Sequence, residues 1–299
     1  MKRFSSEDRI AKRIEEGGVE DGYVRMGSGI PIKVGIALVT FTLGIIIVLL
    51  IWQAMGWYVN ECMDISLRFP YPAESIGWVL ESFIDETMIY GGTIVQHLMG
   101  SLRRVGIAFF LASVFGISLG ITIGYFDRIY SVGIIPVTVF QSIPGLAWVP
   151  ISLLLFGNLG GDAIAIFIIF AVSSMVIIIN VSGGIRTLPE VVTRAAGMMG
   201  AKGSVLFFKI LIPYSSIAII NGLRLGLGSA WRVLIAAEML LGTTIGLGAS
   251  MELLKDSLDF VGAFGCIVVI VIVGLLLDKV LFSAIERSMR HRLGLEEGY

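Results

Sequence analysis

A stripe of polar and aromatic side chains lies within one long apolar run, Leu211–Leu241. Residues at three- and four-residue steps share one face of a helix. The stripe consists of Asn221, Arg224, Gly228, Trp231, Ile235 and Glu238, with Arg232 beside it. A charge at mid-bilayer costs roughly 2.5–3.5 kcal/mol on the lenient insertion scale, and such residues usually face the bundle interior. Each charge must therefore meet another helix, another protomer, water or a substrate, so passage of a charged solute and structural ion pairs both stay open.

The other reactive residues do not indicate enzyme chemistry. Residues 200–204 resemble a phosphate loop in composition, but the G-x4-G-K-[ST] spacing is missing. Two histidines, His97 and His291, are too few for a metal centre, although His97 stays open as a pathway residue. Cys62 and Cys266 are expected to be packing residues. The sequence therefore predicts a chain that is not an enzyme and has no nucleotide site, metal or other cofactor.

The composition fits a polytopic membrane protein. A mean hydropathy of +0.90, with 56% hydrophobic and 15% charged residues, excludes an ordinary soluble domain. A helix needs about 20 apolar residues to cross the hydrocarbon core. We predict an all-α protein with six transmembrane helices, over Val34–Val59, Val105–Tyr125, Ile129–Phe156, Ala163–Ile185, Leu211–Leu241 and Phe260–Leu277.

The placement of lysine and arginine predicts the orientation of these spans. Sixteen basic residues fall on the side of the N-terminal tail, and four fall on the other side, namely Arg68, Arg103, Arg104 and Lys255. Both termini are therefore predicted to be cytoplasmic, with residues 1–33 and 291–299 as tails. Residues 60–96 are predicted as an external loop. The stretch around it, up to residue 104, is interpreted as a solvated connector that ends in a short interfacial helix.

The third span is predicted to be interrupted by Pro136, Pro144 and Pro150. Each proline removes a backbone hydrogen bond and bends or breaks a helix. Irregular backbone at this depth survives where it is buried in protein or lines a polar cavity. Gln141 is the pathway candidate in this span, and purely structural kinks are the alternative.

Glycines recur at every fourth position in the second span, at Gly116, Gly120 and Gly124. Small residues at this spacing let helix backbones approach closely inside a membrane. The spacing favours close packing within the bundle. Small residues that line an opening pathway are the alternative.

A polar segment with glycine and proline joins the fourth and fifth spans. Pro189 is suited to the first turn of a helix, because its missing N–H would be unpaired there. Ala195 and Ala196 belong to a small apolar face suited to the groove of a partner protein. Gly200 allows a turn without a Cβ clash. A helix that couples the chain to a partner protein is predicted over about residues 189–203, on the cytoplasmic side.

The spacing of this segment resembles the EAA loop of prokaryotic ABC importer permeases, E-A-A-x3-G-x9-I-x-L-P. The resemblance implies that the contacts with an ATPase are made by Arg194, Ala195, Ala196, Gly200, Ala201, Ile210 and Pro213. Arg194 stands where the family has glutamate, and Glu190 lies one turn upstream. A second block, Gly222–Gly228 with Ala230-Trp231-Arg232 and Ala236–Met239, resembles span five of the nitrate/sulfonate/taurine branch.

The resemblance implies a type I importer core of five helices over residues 97–290, with one extra N-terminal helix. It implies a permease subunit in a prokaryotic plasma membrane that works as a homodimer in lipid. The implied protein partners are ATP-binding ABC subunits and an extracytoplasmic substrate-binding protein, and no nucleic acid is expected. The implied substrate is a small anion such as sulfonate, taurine or nitrate.

The residues expected to border the translocation path are Gln141, Asn221, Arg224, Trp231, Arg232 and Glu238. Glu238 is expected to orient one of the arginines of its own span. A proton-coupled secondary transporter that uses Arg232 and Glu238 is the alternative function. Such transporters usually carry inverted repeats with helix breaks in both halves, whereas only the third span is obviously interrupted here.

Overall fold

The structure, a computed structural model, describes residues 32–63, 67–84, 88–89, 91–201 and 203–282. The predicted C-terminal tail and nearly all of the predicted N-terminal tail lie outside these residues. The chain divides into two compact units, residues 1–52 and 53–299. In the first unit the described residues form the beginning of one helix, and the second unit holds the remaining elements.

Helices dominate the described residues, as the sequence predicts. They are α1 Ile32–Cys62, α2 Pro72–Ile84, α3 Ile94–Tyr125, α4 Asp127–Gln141, α5 Val149–Phe156, α6 Gly161–Arg186, α7 Glu190–Met198, α8 Ser204–Leu206, α9 Ile212–Leu241, α10 Leu247–Asp256 and α11 Phe260–Leu276. Short 3-10 turns cover Gly145–Trp148 and Gly157–Leu159, and π-helical turns cover Phe207–Leu211 and Leu277–Phe282. A two-residue antiparallel bridge joins β1, Met88–Ile89, to β2, Gly92–Thr93.

Five helices of the described chain are long and apolar enough to cross a membrane. They cover Val39–Cys62, Ile94–Tyr125, Gly161–Arg186, Ser204–Leu241 and Phe260–Lys279. A sixth span is obtained if α4 and the segment Gly145–Leu159, which meet at 99°, are counted as one broken span. The all-α polytopic prediction is confirmed, and its third span is the broken one.

The interruption of the third span lies between Gln141 and Gly145. Pro144 lies at this break, where it cannot donate a backbone hydrogen bond. Pro136 stays inside α4, and Pro150 lies in the first turn of α5, where proline is well tolerated. One of the three prolines therefore marks the break, and the helices accommodate the other two.

The core of the bundle is the contact of α3 and α9 with α6. A Cβ added at Gly116 would lie 2.8 Å from Ile177, and one added at Gly120 would lie 2.8 Å from Val181. Real Cβ atoms do not approach neighbours so closely, so these positions depend on glycine for the helix contact. Close packing, the favoured interpretation of the glycine spacing, is thus what the structure has.

The segment predicted as a solvated connector contains a packed helix instead. α2 lies against α11, and Trp78 of α2 covers Gly262 and Gly265. A Cβ at Gly262 would lie 3.1 Å from the indole ring, so the two helices approach closely. The sequence prediction missed this because the prolines and acidic residues flanking α2 masked its apolar face.

The predicted interfacial helix before residue 104 is also wrong, because these residues are the first turns of α3. Thr93 caps α3 by accepting a hydrogen bond from the N–H of Gln96 at 3.3 Å. The Gln96 side chain in turn accepts the N–H of Thr93 at 3.0 Å, which completes a capping box. The second span therefore begins at Ile94 rather than at Val105.

Candidate functional site

The polar segment after α6 forms a short helix that ends in a glycine turn. α7 leads to Gly200, whose φ of +82° lies in the left-handed region. The N–H of Gly200 bonds to the Gly197 carbonyl at 3.0 Å, and the N–H of Ala201 bonds to the Ala196 carbonyl at 2.9 Å. These two bonds form a Schellman cap, in which glycine adopts the required backbone without strain. The Ala-Ala-x3-Gly spacing is thus the spacing of a helix C-cap.

α7 exposes most of its apolar side chains and buries one. Val191, Met198 and Met199 are strongly exposed on the single chain, as is Phe208 beyond the cap. Contiguous exposed apolar side chains mark a surface that binds another protein or a membrane. Ala196, which the sequence assigned to this face, is only 2% exposed. Ala196 is therefore not part of the exposed face, which is carried by the larger side chains around it.

Arg194, the residue that departs from the motif, forms an ion pair with Glu190 one turn earlier on α7. Both side chains lie on the surface, with 76% and 78% of their areas exposed. Pairs at this spacing stabilise a helix by about 0.2–0.5 kcal/mol. The guanidinium of Arg194 is therefore at the surface, beside the exposed apolar residues.

The rest of the motif lies where α9 begins. Ile210 lies in the π-helical turn that joins α8 to α9, and Pro213 lies in the first turn of α9. Because this helix runs on from Ser204, the fifth span starts earlier than the predicted Leu211. Pro213 therefore does not separate two helices. Its missing backbone N–H falls in the first turn of α9, directly after the π-helical turn ends.

One cavity of about 280 Å³, between α9 and the end of α11, is lined by Arg224, Gly228 and Trp231 of the predicted stripe and by Arg232 beside it. Arg224 donates two hydrogen bonds to Asp278, at 2.6 and 2.9 Å. Trp231 donates its indole N–H to the Ile270 carbonyl at 3.1 Å, which fixes the ring against α11. Arg232 lies in the same cavity and is exposed.

The two arginines of this cavity differ in how their charge is balanced. Asp278 holds Arg224 in a bidentate pair, the strong form of a charge-assisted hydrogen bond. Arg232 donates to the Ser229 hydroxyl at 3.3 Å, which supplies no negative charge. Among the described residues that line the cavity, one positive charge is thus left over. This arrangement can attract an anion.

Glu238 does not join the arginines of its own span, so that expectation is wrong. Its carboxylate is completely buried and accepts hydrogen bonds from Arg104 at 2.7 Å and from Ser101 at 2.8 Å. The N–H of Gly248 also donates to it, at 3.0 Å. The physical reason is helix geometry: Glu238 lies at the far end of α9 from Arg224, and its spacing from Arg232 is not a three- or four-residue step, so the two do not share a face. Arg104 of α3 is the cation that meets it there.

The cluster around Glu238 joins four helices at one end of the bundle, called the α10 end here. Arg104 also bonds to Asp162 in the first turn of α6, at 2.7 Å. His97 lies between the Ile89 carbonyl at 2.7 Å and the N–H of Gly246 at 3.0 Å. His97 is fully buried in these contacts, which makes it a structural residue in this conformation.

Sequence reasoning missed Arg104 and its partners, although a signal was present. His97, Ser101 and Arg104 follow four- and three-residue steps, and Ala108 and Ala112 continue the same line. All five are buried on one face of α3. A stripe of small residues that continues into polar ones predicts a buried polar cluster. The assumption of a solvated connector up to residue 104 hid this pattern.

The two remaining candidate path residues are not brought into the cavity. Gln141 is exposed at the last residue of α4, beside the break in the third span. Asn221 is exposed on α9, one turn before Arg224. The structure therefore groups Arg224, Trp231 and Arg232, and it places Gln141, Asn221 and Glu238 elsewhere on the chain.

The fold and these contacts define a polytopic helical membrane protein with a capped helix between two of its spans. Residues 112–291 match the family described as binding-protein-dependent transport system inner membrane component. The chain belongs to this family, as its motifs predict.

Individual relatives narrow the family assignment to one branch. A protein of Methanocaldococcus jannaschii that carries the name of an ABC transporter permease is 34% identical, covering 77% of this chain and 83% of that protein. The nitrate import permease NrtB of Synechocystis is 31% identical, covering 79% and 83%. The taurine transport system permease TauC of Escherichia coli is 29% identical, covering 85% and 89%. The predicted nitrate/sulfonate/taurine branch is thereby confirmed.

The fold has a solved counterpart. A chain of the MetNI methionine ABC transporter, in an inward-facing conformation, aligns with a TM-score of 0.55 at 18% identity. The alignment covers 66% of this chain and 95% of that chain. At this identity the likeness concerns the fold alone, and it agrees with a type I importer permease.

Proposed function

We propose that this chain is the transmembrane subunit of an ABC importer, which passes a small anion while partner subunits hydrolyse ATP. The observation that carries this proposal is the Schellman-capped α7 at the end of the bundle opposite α10, called the α7 end here. It presents Val191, Met198 and Met199 beside Arg194. An apolar patch with a polar rim on a short, capped helix suits insertion into a groove of another protein.

The proposed orientation places α7 in the cytoplasm, where ATP is available. The excess of lysine and arginine on the side of the N-terminal tail supports it. Both termini are then cytoplasmic, and α2 and α10 lie on the outer face. Residues 1–33 and 291–299 are proposed as tails, residues 34–59 as the extra helix, residues 60–96 as an external segment and residues 97–290 as the core. ATP-binding subunits dock on residues 189–203 from within.

The proposed assembly contains two copies of this chain in the lipid bilayer. The exposed position of Arg232 on a single chain supports this, since a second copy facing α9 would enclose the cavity. Closure of the ATP-binding subunits then moves the two copies between inward- and outward-facing states, a rigid-body alternation. An extracytoplasmic binding protein delivers the substrate to the outer face.

The proposed substrate class is a small anion such as nitrate, taurine or another sulfonate. The names of two relatives, a nitrate and a taurine permease, support it. The charge of the cavity supports it independently, because Asp278 neutralises Arg224 and leaves Arg232 uncompensated. Trp231, Gln141 and Asn221 are proposed to border the same path in the dimer. Glu238 has no exposed surface, so it is proposed to act on the path indirectly, by positioning α9.

The test is reconstitution with a charge-removing variant. The chain is purified with the subunits that co-purify with it, placed in liposomes with the candidate binding protein added, and assayed for ATP hydrolysis and for uptake of nitrate and taurine. Arg232→Gln should assemble and hydrolyse ATP, yet lose at least about tenfold in uptake, since a hydrogen bond to a charged group is worth about 1.5–3 kcal/mol. Arg232→Lys should keep more activity, and Arg128→Gln, outside the cavity, is the matched control.

Other results would decide against the proposal. Uptake at the parent rate by Arg232→Gln would contradict the role of the cavity. Uptake driven by a proton gradient without ATP or co-purifying subunits would favour the secondary transporter. That alternative has lost its proposed pair of residues, because Glu238 bonds to Arg104 rather than to Arg232.

A further inference from the structure

A second cavity lies at the α10 end, apart from the one at Arg232. It has a volume of about 560 Å³ and is enclosed by the bend after β1, the C-terminal end of α9 and one face of α10. Its lining includes two carboxylates, Glu252 and Asp256, which lie one turn apart on α10. On the proposed orientation this cavity opens on the outer face of the membrane.

Both carboxylates of this cavity form ion pairs with Lys255 of the same helix. The ammonium of Lys255 lies 2.5 Å from Glu252 and 3.3 Å from Asp256. Its hydrogen bond to Glu252 is the main cause that raises the pKa of Lys255 above its usual value, so it stays charged. About half of the Lys255 side chain is exposed, and ion pairs so exposed contribute little because water screens them. Another cation can therefore replace Lys255 at little cost.

The cavity also contains an unsatisfied polar group. Thr243 lines it and is 7% exposed, and its hydroxyl has no hydrogen-bond partner among the described residues. A buried hydroxyl left without a partner is unfavourable, and a donor that a ligand brings to it would relieve this.

The wall that carries the carboxylates is held rigidly. The first turn of α10 and the residue before it offer three consecutive N–H groups, from Gly246, Leu247 and Gly248. They bond to His97 at 3.0 Å, to Ser101 at 2.9 Å and to Glu238 at 3.0 Å, respectively. A ligand that enters the cavity meets a preformed surface, which lowers the entropy lost on binding.

We propose that this cavity receives a lysine or arginine side chain of the extracytoplasmic substrate-binding protein, in exchange for Lys255. The proposal rests on the proposed function, which supplies this partner and the outer location. A basic side chain fits because it replaces one cation by another on the same carboxylates and brings donors to Thr243. The anionic substrate itself does not fit, because Glu252 and Asp256 would repel it.

The exchange predicts opposite effects of two neutralising substitutions. Glu252→Gln removes an acceptor for the partner, and the binding protein that stimulates the parent complex should bind about 3- to 10-fold more weakly at low salt. Lys255→Gln removes the internal competitor, and the same protein should bind more tightly by a similar factor. Both effects should shrink at 1 M salt, where the Debye length is about 3 Å. Glu81→Gln, an exposed acid on α2, is the control for net charge.

The outcomes separate this proposal from the proposed function. If Glu252→Gln and Lys255→Gln both bind as Glu81→Gln does, while stimulated transport persists, the docking cavity is wrong and the importer stands. Equal weakening by Glu252→Gln and Lys255→Gln would also overturn the exchange. A parent complex that no binding protein stimulates would overturn the importer proposal and the docking cavity with it. ATP hydrolysis without binding protein should be the same in all variants.

Discussion

The two ends of the bundle hold ion pairs in opposite surroundings. At the α10 end, Arg104 and Glu238 pair with 6% and 0% of their side chains exposed. At the α7 end, Arg194 and Glu190 pair with 76% and 78% exposed. Removing one partner of a buried pair costs about 3–5 kcal/mol, whereas an exposed pair contributes about 0–1 kcal/mol. The α10 end is therefore held by its own charges, and the α7 end is not.

The apolar side chains differ in the same sense. Met198 of α7 and Met199 after it are exposed, whereas the N–H groups at the start of α10 donate to His97, Ser101 and Glu238. The buried charges of one end are paired within a single chain, and the other end has apolar surface suited to a partner. On the proposed orientation, this difference fits a subunit whose outer corner keeps its shape while its inner helix is held by another protein.

The largest effect is expected from Glu238→Ala. It leaves the Arg104 guanidinium buried beside Asp162 alone, and the loss in free energy of unfolding should be about 3–5 kcal/mol. Thermal unfolding of the purified chain in detergent measures it. Asp162→Ala removes a carboxylate that is 57% exposed and should have a much smaller effect.

A double variant sharpens this expectation. Replacing Arg104 by Met together with Glu238→Leu removes both charges, and it should recover much of the stability lost in Glu238→Ala. If Glu238→Ala unfolds at the temperature of the parent chain, the buried pair does not hold the α10 end and the contrast between the two ends fails.

The next effect is expected at the cap of α7. Gly200→Ala places a Cβ at a φ of +82°, where the left-handed conformation costs an L-residue about 1–2 kcal/mol. The cap should loosen, and transport per ATP hydrolysed should fall although the bundle stays folded. Gly197→Ala, three residues earlier, has open space and ordinary helical backbone, so it should be neutral or slightly stabilising.

The pair of variants isolates the backbone from the side chain, because both add one methyl group to the same short helix. Equal coupling in the two would mean that the Schellman cap has no role in docking. A loss of coupling in Gly197→Ala alone would mean that the partner contacts the helix face at that glycine.

Much of the fold could be predicted from the sequence, because long apolar runs and proline positions are local signals. The motif around Gly200 was recognisable for the same reason, since a helix cap is formed by neighbouring residues. The charge partners were not predictable in this way. Arg224 bonds to Asp278 and Arg104 to Glu238, pairs that are far apart in the chain. Only the packing of helices decides which of several arginines meets a given carboxylate.

The prediction of a solvated connector up to residue 104 failed for a related reason. α2 within it, like α10 between the last two spans, is a short helix with prolines, glycines or acidic residues nearby, and this composition is typical of solvated loops. Their helical state depends on tertiary contacts, such as Trp78 of α2 on Gly265 of α11 and the N–H of Gly248 on Glu238. Short helices are marginal without such packing.

The smallest effect on the fold is expected from Arg194→Glu, which introduces the glutamate that the family motif has. The new side chain would lie one turn from Glu190, and like charges at this spacing destabilise a helix by about 0.2–0.5 kcal/mol. The unfolding temperature should therefore barely change. The side chain lies beside the exposed apolar face, so its reversal should weaken binding of the ATP-binding subunits about 3- to 10-fold at low salt. The loss of binding should fade as salt screens the charge.

Glu190→Ala breaks the same pair without reversing the charge, and it should bind these subunits like the parent. If Arg194→Glu instead destabilises the chain as much as Glu238→Ala, the α7 end is held by its charges after all, and the two ends do not differ in kind.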